Sequence, residues 1–536
     1  MKQKSFFPLS ILSQNIIVAI ILIVSALGLR FYKLGEWSFD LDEIATQIET
    51  RSLFENQPLP ESIKDLPYHH PDPEKSQFYR LPRLIFVAHF VHWLDYRLCG
   101  DDEFGSRVFM AIMGSFSVGI AFLLGRSLFG FSTSLILAFL ILLLPEHVYQ
   151  SQNGRFYSQA FLFVEIVFLL GGHVAMKQSV VAAWGLVPVS LIMILSHSLS
   201  GIVWGILLGG LLFDFFFSKQ SNINQSNLET KTNLFLLKIP YRIILILGIW
   251  SIVLLLIFWF HIVPLTKSWN NYDVTWRLSP VDSVLTFASD FGRSYIILCV
   301  PAWFFVLLHV RKTGWGYWLF CALTCGSAIF LLPLKMVFYS TYAFTLSFPF
   351  LVILALFINH IGQLLTQSNR RYGWLCGVVW CCFMVLLNIT ELNNYYKDGN
   401  RYDIRSACQY IKQYWQPNDQ LFCTGLNEII NTYIPIDGVP TRLPSKDMNE
   451  YLQHHFDKIR KDKEKSNHSR FWIIMKREHY FLLDKKTRDW IDKHCQYEGS
   501  FGKFHYGHPM FLEVFLCSPQ SPVPLSDSVT TINSEQ

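Results

Sequence analysis

Three short segments of the sequence hold residue types that can do chemistry. The first, Asp40-Leu41-Asp42-Glu43, sets three carboxylates within one stretch. Such a cluster can act as a general base, bind a metal or lie solvated in a loop. The second, Gly100-Asp101-Asp102-Glu103-Phe104-Gly105-Ser106-Arg107, runs from acids to a cation where an apolar stretch begins. Its acids suit ordinary helix capping. Arg107, one turn into the apolar stretch, calls for a carboxylate or phosphate partner. The third, Tyr149-Gln150-Ser151-Gln152-Asn153-Gly154-Arg155-Phe156-Tyr157, places Arg155 and Tyr157 two apart. That pair can clamp an anionic headgroup, and the bland alternative is an arginine that snorkels to the membrane surface. His197, between Ser196 and Ser198, is either a ligand or a satisfied polar residue. Lys335 is a second isolated cation between apolar runs, while the adjacent His69-His70 has poor spacing for a metal.

The elements that must position these residues follow from composition. Of 536 residues, 51% are hydrophobic and only 16% charged, against about 25% charged in soluble proteins. This excludes a soluble globular layout, a disordered chain and a small disulfide scaffold. Charges concentrate after residue 389, which predicts a membrane part followed by a water-soluble one. The net charge of +5 gives no reason to invoke nucleic acid. Most of the 11 cysteines lie in apolar runs and read as buried small hydrophobes, rather than as a metal site or a disulfide framework.

A crossing helix needs about 20 apolar residues. Eleven spans are expected, at 11–29, 106–128, 131–148, 158–175, 179–195, 199–217, 242–263, 294–310, 317–333, 338–359 and 373–389. With the N-terminus inside, the inner loops hold Arg126, Lys177, Lys219, Lys231, Lys238, Arg311, Lys312, Arg370 and Arg371. All are basic, as the positive-inside rule expects. The outer face then holds a large first loop at 30–105, a second loop at 264–293 and everything after the last span. Amphipathic stretches at 41–55 and 81–98 read as helices lying at the interface. Residues 390–517 read as an α/β domain, with a helix at 403–415, strands at 420–424 and 471–475, a helix near 484–494 and closing strands near 500–506 and 511–517. Residues 518–536 read as a disordered tail.

Under this topology Asp42, Glu43, Glu103, Arg107, Arg155, Tyr157, His197 and Lys335 all fall on one membrane face. Taken in order, the segments resemble those of the GT-C membrane glycosyltransferases of the protein-O-mannosyltransferase and lipid A aminoarabinose transferase type. Trp37–Glu43 resembles the first-loop acidic motif, Gly100–Arg107 the approach to the next span, Tyr149–Tyr157 the Ser-Gln-x-x-Arg-x-Tyr segment, and Ser196-His197-Ser198 the loop histidine. Tyr402-Asp403-Ile404-Arg405 resembles the opening of the external domain in bacterial members. One departure is Ser340-Thr341-Tyr342 before Pro349, where relatives carry an Arg-Tyr pair.

The resemblance implies an inverting transfer of sugar from a polyprenyl-phosphate donor to a lipid, glycan or protein acceptor outside the cytoplasm. It implies a bacterial inner membrane location, with residues 1–389 catalytic. Asp42 would be the base with Glu43 beside it. Glu103 and Arg107 would order the site, and Arg155, Tyr157, His197 and Lys335 would hold the phosphate. No cofactor is identified, and metal dependence stays open, since Asp42, Glu103 and His197 could take a divalent metal. The competing readings are a flippase or a polymerase/ligase of lipid-linked glycans, and a non-catalytic scaffold. A transporter should place its charges near mid-bilayer, whereas these gather at one surface.

Overall fold

A computed structural model describes residues 7–57, 85–197, 200–223, 241–257, 293–309, 314–331, 344–366, 373–398, 402–417, 419–423, 427–434, 441–442, 470–505 and 508–517. The expectations for Lys335, the loop 264–293, His69-His70, Ser340–Tyr342 and the tail 518–536 lie outside these residues. The chain divides into two compact units. Met1–Glu36 with Thr46–Asn393 forms the first, and Trp37–Ala45 with Asn394–Gln536 the second.

The first unit is helical because its sequence is apolar all round rather than on one stripe. Its described helices are α1 (Phe7–Phe31), α2 (Leu41–Glu55, whose first residues belong to the second unit), α3 (Phe86–Cys99), α4 (Val108–Phe129), α5 (Phe131–Leu143), α6 (Pro145–Ser151), α7 (Tyr157–Lys177), α8 (Val180–Ser196) and α9 (Gly201–Ile223). Then follow α10 (Tyr241–Ile257), α11 (Arg293–Leu308), α12 (Trp315–Leu331), α13 (Phe348–Thr366) and α14 (Gly373–Asp398). Among the described residues Ser13–Phe31, Gly105–Phe129 and Tyr157–Lys177 are long and apolar enough to cross a membrane, and further apolar helices are shorter. This is a helical membrane protein.

The expected span 131–148 is broken: α5 and α6 meet at a 61° bend. Leu144 is extended and Pro145 opens the new helix, because proline lacks the N–H that would continue the ladder. Hydrogen bonds sort the ends of the bundle. At one end Arg126 donates to Asn15 (3.3 Å) and Ser127 meets His173 (2.8 Å). At the other, Gln152 reaches the end of α1 and Gln159 donates to Ser196 (2.9 Å). The segments singled out in the first unit lie at this second end.

α3 turns its polar residues inward: His89, His92 and Asp95 are buried while Phe86, Phe90 and Leu98 are exposed. This suits a helix whose outer face meets apolar surroundings. It ends at Gly100, whose φ of 107° suits glycine alone.

The second unit is a five-stranded mixed sheet of order β2-β1-β3-β5-β4. β1 (Gln420–Cys423), β2 (Thr441–Arg442) and β3 (Phe471–Lys476) are parallel, whereas β5 (His508–Cys517) runs antiparallel to β3 and β4 (Cys495–His505). Phe471–Met475 are fully buried, as an unbroken apolar run in a central strand should be. α15 (Ile404–Tyr414) buries Ile404, Ala407, Cys408 and Ile411, one stripe at helical spacing, and Asp403 caps it by accepting the Ser406 N–H (3.1 Å). α16 (Asn427–Tyr433), α17 (Arg477–Leu482) and α18 (Lys485–His494) complete the unit.

Cys495 and Cys517 face each other in the β4–β5 register and form a disulfide. This corrects the preference against disulfides for these two cysteines, since register brings together two residues 22 apart. Mutating both to Ser should cost about 3 kcal/mol by loop-closure entropy. Hydrogen exchange across β4 and β5 measures the loss, and unchanged exchange would contradict it.

Candidate active site

The site in the first unit is built on the turn between α6 and α7. Gln152 is buried, and its amide donates to the Arg30 (2.9 Å) and Tyr32 (2.7 Å) carbonyls. It thereby satisfies acceptors left open at the end of α1. Arg30 is itself fully buried. Its Nε donates to Ser151 Oγ (3.2 Å) and one terminal nitrogen reaches His147 Nδ1 (2.8 Å). These bonds fix both ends of the short helix preceding Arg155. Gly114 makes room for them, because a Cβ there would lie 2.0 Å from Ser151 Oγ and 2.8 Å from its Cβ. Gly114→Ala should therefore destabilise the protein by about 1–3 kcal/mol through overpacking, and a thermal melt of purified protein checks this.

Arg155 is half-buried. Its guanidinium lies 4.8 Å from the Phe156 ring and 5.9 Å from the Tyr157 ring, and it donates to Thr46 Oγ1 at 2.5 Å. Thr46 lies on α2, one turn before Thr50, whose hydroxyl meets His89 Nδ1 at 2.7 Å. Glu49 Oε2 stands 3.7 Å from His89 Nε2. His89 packs against Phe156 at 6.1 Å, and His197 packs against Phe156 and Tyr157 at 5.8 Å each. Arg155, Tyr157 and His197 are thus brought together, with Thr46, Thr50 and His89 added.

The two imidazoles are uncharged. Burial, reinforced by His92 and Arg155, pushes His89 down to about 3. Burial and Arg155 push His197 down to about 3. The cation of the cluster is therefore Arg155, and His197 offers a neutral hydrogen-bonding group. Buried Gln47 Nε2, His89 Nε2 and Asn153 Oδ1 have no hydrogen-bond partner among the described residues.

Arg107 is fully buried and donates to the Leu34 carbonyl at 3.0 Å, while Glu103 is half-buried. Arg107 thus ties the end of the α1 turn to the start of α4. Asp102 takes the Gly105 N–H (2.7 Å) and Asp101 pairs with Arg51 (2.8 Å). The acids of this segment include the capping role anticipated for them.

In the second unit the acidic motif splits. Glu43 is buried and accepts the Asp40 N–H at 2.8 Å, the reciprocal half of a capping box at the start of α2. Asp42 is exposed in the first turn of that helix. Among the described residues no group of three or more His, Cys, Asp or Glu comes together to hold a metal.

Sequence reasoning missed Arg30, Thr46, Thr50 and His89 as partners of the turn. Arg30 carried a signal, since a charge in the last turn of a span is costly. The others carried none.

No family model matches the sequence, and no curated protein matches it. Among solved structures, ArnT from Cupriavidus metallidurans in the apo state matches with a TM-score of 0.54 at 13% identity, over 93% of this chain and 97% of that one. The same protein bound to undecaprenyl phosphate gives 0.54 at 14% identity and the same coverage. The archaeal oligosaccharyltransferase AglB from Archaeoglobus fulgidus, in complex with an inhibitory peptide and a dolichol-phosphate, gives 0.50 at 11% identity over 92% of this chain and 75% of that one. The fold of this chain is similar to that of these ArnT and AglB structures.

Proposed function

We propose that the protein is a glycosyltransferase that moves a sugar from a polyprenyl-phosphate donor to an acceptor outside the cytoplasm, with inversion. The observation that carries this reading is Arg155: an aromatic-stacked cation held by Thr46, among neutral histidines and buried polar atoms lacking partners, at one end of a GT-C bundle. ArnT, whose fold it shares, is known bound to undecaprenyl phosphate, and AglB with a dolichol-phosphate.

The chemistry needs little. Polyprenyl phosphate is a good anionic leaving group, so one carboxylate that deprotonates the acceptor suffices. A fixed cation at the phosphate stabilises charge as the glycosidic bond breaks. Asp42, exposed at the start of α2, is the proposed base, and Glu43 holds the helix end that presents it. Arg155 is the proposed phosphate ligand, with Tyr157 and His197 as neutral contacts. Glu103, Arg107 and Lys335 keep a supporting role in this reading.

Eleven crossings with basic inner loops would put the second unit outside, in the periplasm of a bacterial inner membrane. The Cys495–Cys517 disulfide supports that side, since such bonds persist in oxidising compartments. The test is to incubate the purified protein in nanodiscs with undecaprenyl-phosphate-linked mannose, glucose and 4-amino-4-deoxyarabinose, each with membrane extract as acceptor source. Consumption of one donor, releasing undecaprenyl phosphate, supports the proposal. Movement of intact donor across vesicle membranes without consumption would instead make it a flippase.

A further inference from the structure

The Tyr402-Asp403-Ile404-Arg405 segment and α16 have no part in the proposed chemistry, yet both bond to the acidic motif. Within the second unit the Arg405 backbone N–H donates to Ser38 Oγ at 3.1 Å, and its guanidinium reaches the Trp37 carbonyl at 3.4 Å. Arg405 follows Ile404 in the first turn of α15, where N–H groups have no partner within the helix. Asp403 satisfies one such donor and Ser38, from the first loop, satisfies another. The Phe39 N–H donates to the Tyr433 hydroxyl at 2.7 Å, and their rings lie 6.4 Å apart. Ser38 and Phe39 are 4% and 2% exposed, so water does not readily replace either partner. These bonds span 367 and 394 residues of sequence.

Resting on Asp42 as the base, we infer that the C-terminal unit is a positioning element for the reaction: Ser38 and Tyr433 pin the segment that leads into α2 and so fix where Asp42 stands. Asp40, next to the pinned Phe39, opens the capping box with Glu43, so the restraint passes directly into the first turn carrying Asp42. The linkage explains why a segment of the first loop belongs to the same compact unit as residues 394–536. Ser38, Arg405 and Tyr433 touch no reacting atom in this account; they act through Asp42.

Tyr433→Phe keeps the ring packing against Phe39 and removes only the hydroxyl. In full-length protein in nanodiscs, hydrogen exchange of the segment 37–45 should then rise about tenfold or more, while β3 and β5 stay unchanged. Such a loss corresponds to an unpaired buried N–H. With the undecaprenyl-phosphate sugar that wild type consumes, kcat should fall about ten- to a hundredfold at unchanged donor KM, as for a displaced catalytic group. Ser38→Ala should act in the same direction, which separates the effect from a peculiarity of one variant. Unchanged exchange at 37–45 in both variants overturns the anchoring. Raised exchange with unchanged kcat overturns its catalytic purpose. Near-normal turnover by Asp42→Asn overturns the base assignment instead, and the exchange measurement stands independently of that outcome.

Discussion

Asp42→Asn should lower kcat by about a hundredfold to ten-thousandfold, the range contributed by a positioned general base, while donor binding survives. The substitution is close to isosteric and removes one negative charge. Asp42 is exposed in the first turn of α2, where a carboxylate's favourable interaction with the helix dipole is only about 0.3–1 kcal/mol. Folding should therefore be nearly untouched, so a lost rate can be read as lost chemistry. Glu43→Gln makes a poor comparison, because Glu43 is buried and closes the capping box. Turnover of purified Asp42→Asn near that of wild type would sink the assignment.

Arg155→Ala should weaken binding of undecaprenyl phosphate about a hundredfold and lower kcat as well. The cation is held on three sides, by Thr46 Oγ1 and by the faces of Phe156 and Tyr157. A planar guanidinium fits stacked rings and a phosphate together, whereas an ammonium is a compact, strongly hydrated charge. Arg155→Lys should accordingly recover only a small part of the affinity. The neutral state of His89 and His197 sharpens this expectation, since burial, the larger cause in each, persists when Arg155 is removed. Titrating undecaprenyl phosphate by native mass spectrometry measures the affinity. Equal affinities for wild type and Arg155→Ala would remove Arg155 from the phosphate site.

Much of the local structure was legible in the sequence because local pattern encodes it. Apolar length announced α1, α4 and α7, and stripe spacing announced α15. The apolar runs 420–424 and 471–475 announced β1 and β3. What was not legible depends on distant partners. The bend at Leu144–Pro145 could have been read from the proline, yet continuous hydrophobicity masked it. The Cys495–Cys517 bond required the β4–β5 register. Assignment of Trp37–Ala45 to the second unit required Ser38 and Phe39 to meet Arg405 and Tyr433.

The site shows the same division. Arg155 and Tyr157 could be picked out by spacing, and the structure places them together with His197. The Thr46, Thr50 and His89 side chains could not, because a threonine or histidine on an amphipathic helix carries no distinguishing signal. Three acids near Asp40 looked like one functional cluster. Backbone geometry shows that Glu43 serves the helix end and leaves Asp42 exposed. The spacing of Asp40 and Glu43 is that of a capping box, so this outcome had a local signal that the chemical reading overrode.

The central claim is transfer from a lipid phosphate, and one side-by-side measurement tests it most directly. Full-length wild type, Asp42→Asn and Arg155→Ala, each in nanodiscs, are given the same undecaprenyl-phosphate sugar with membrane extract as acceptor source, and released undecaprenyl phosphate is quantified over time. The account predicts release by wild type, release slowed about a hundredfold or more by Asp42→Asn despite normal donor binding, and weakened donor binding with slow release by Arg155→Ala. Equal release by all three proteins, or no release by wild type with any donor of the panel, would contradict it.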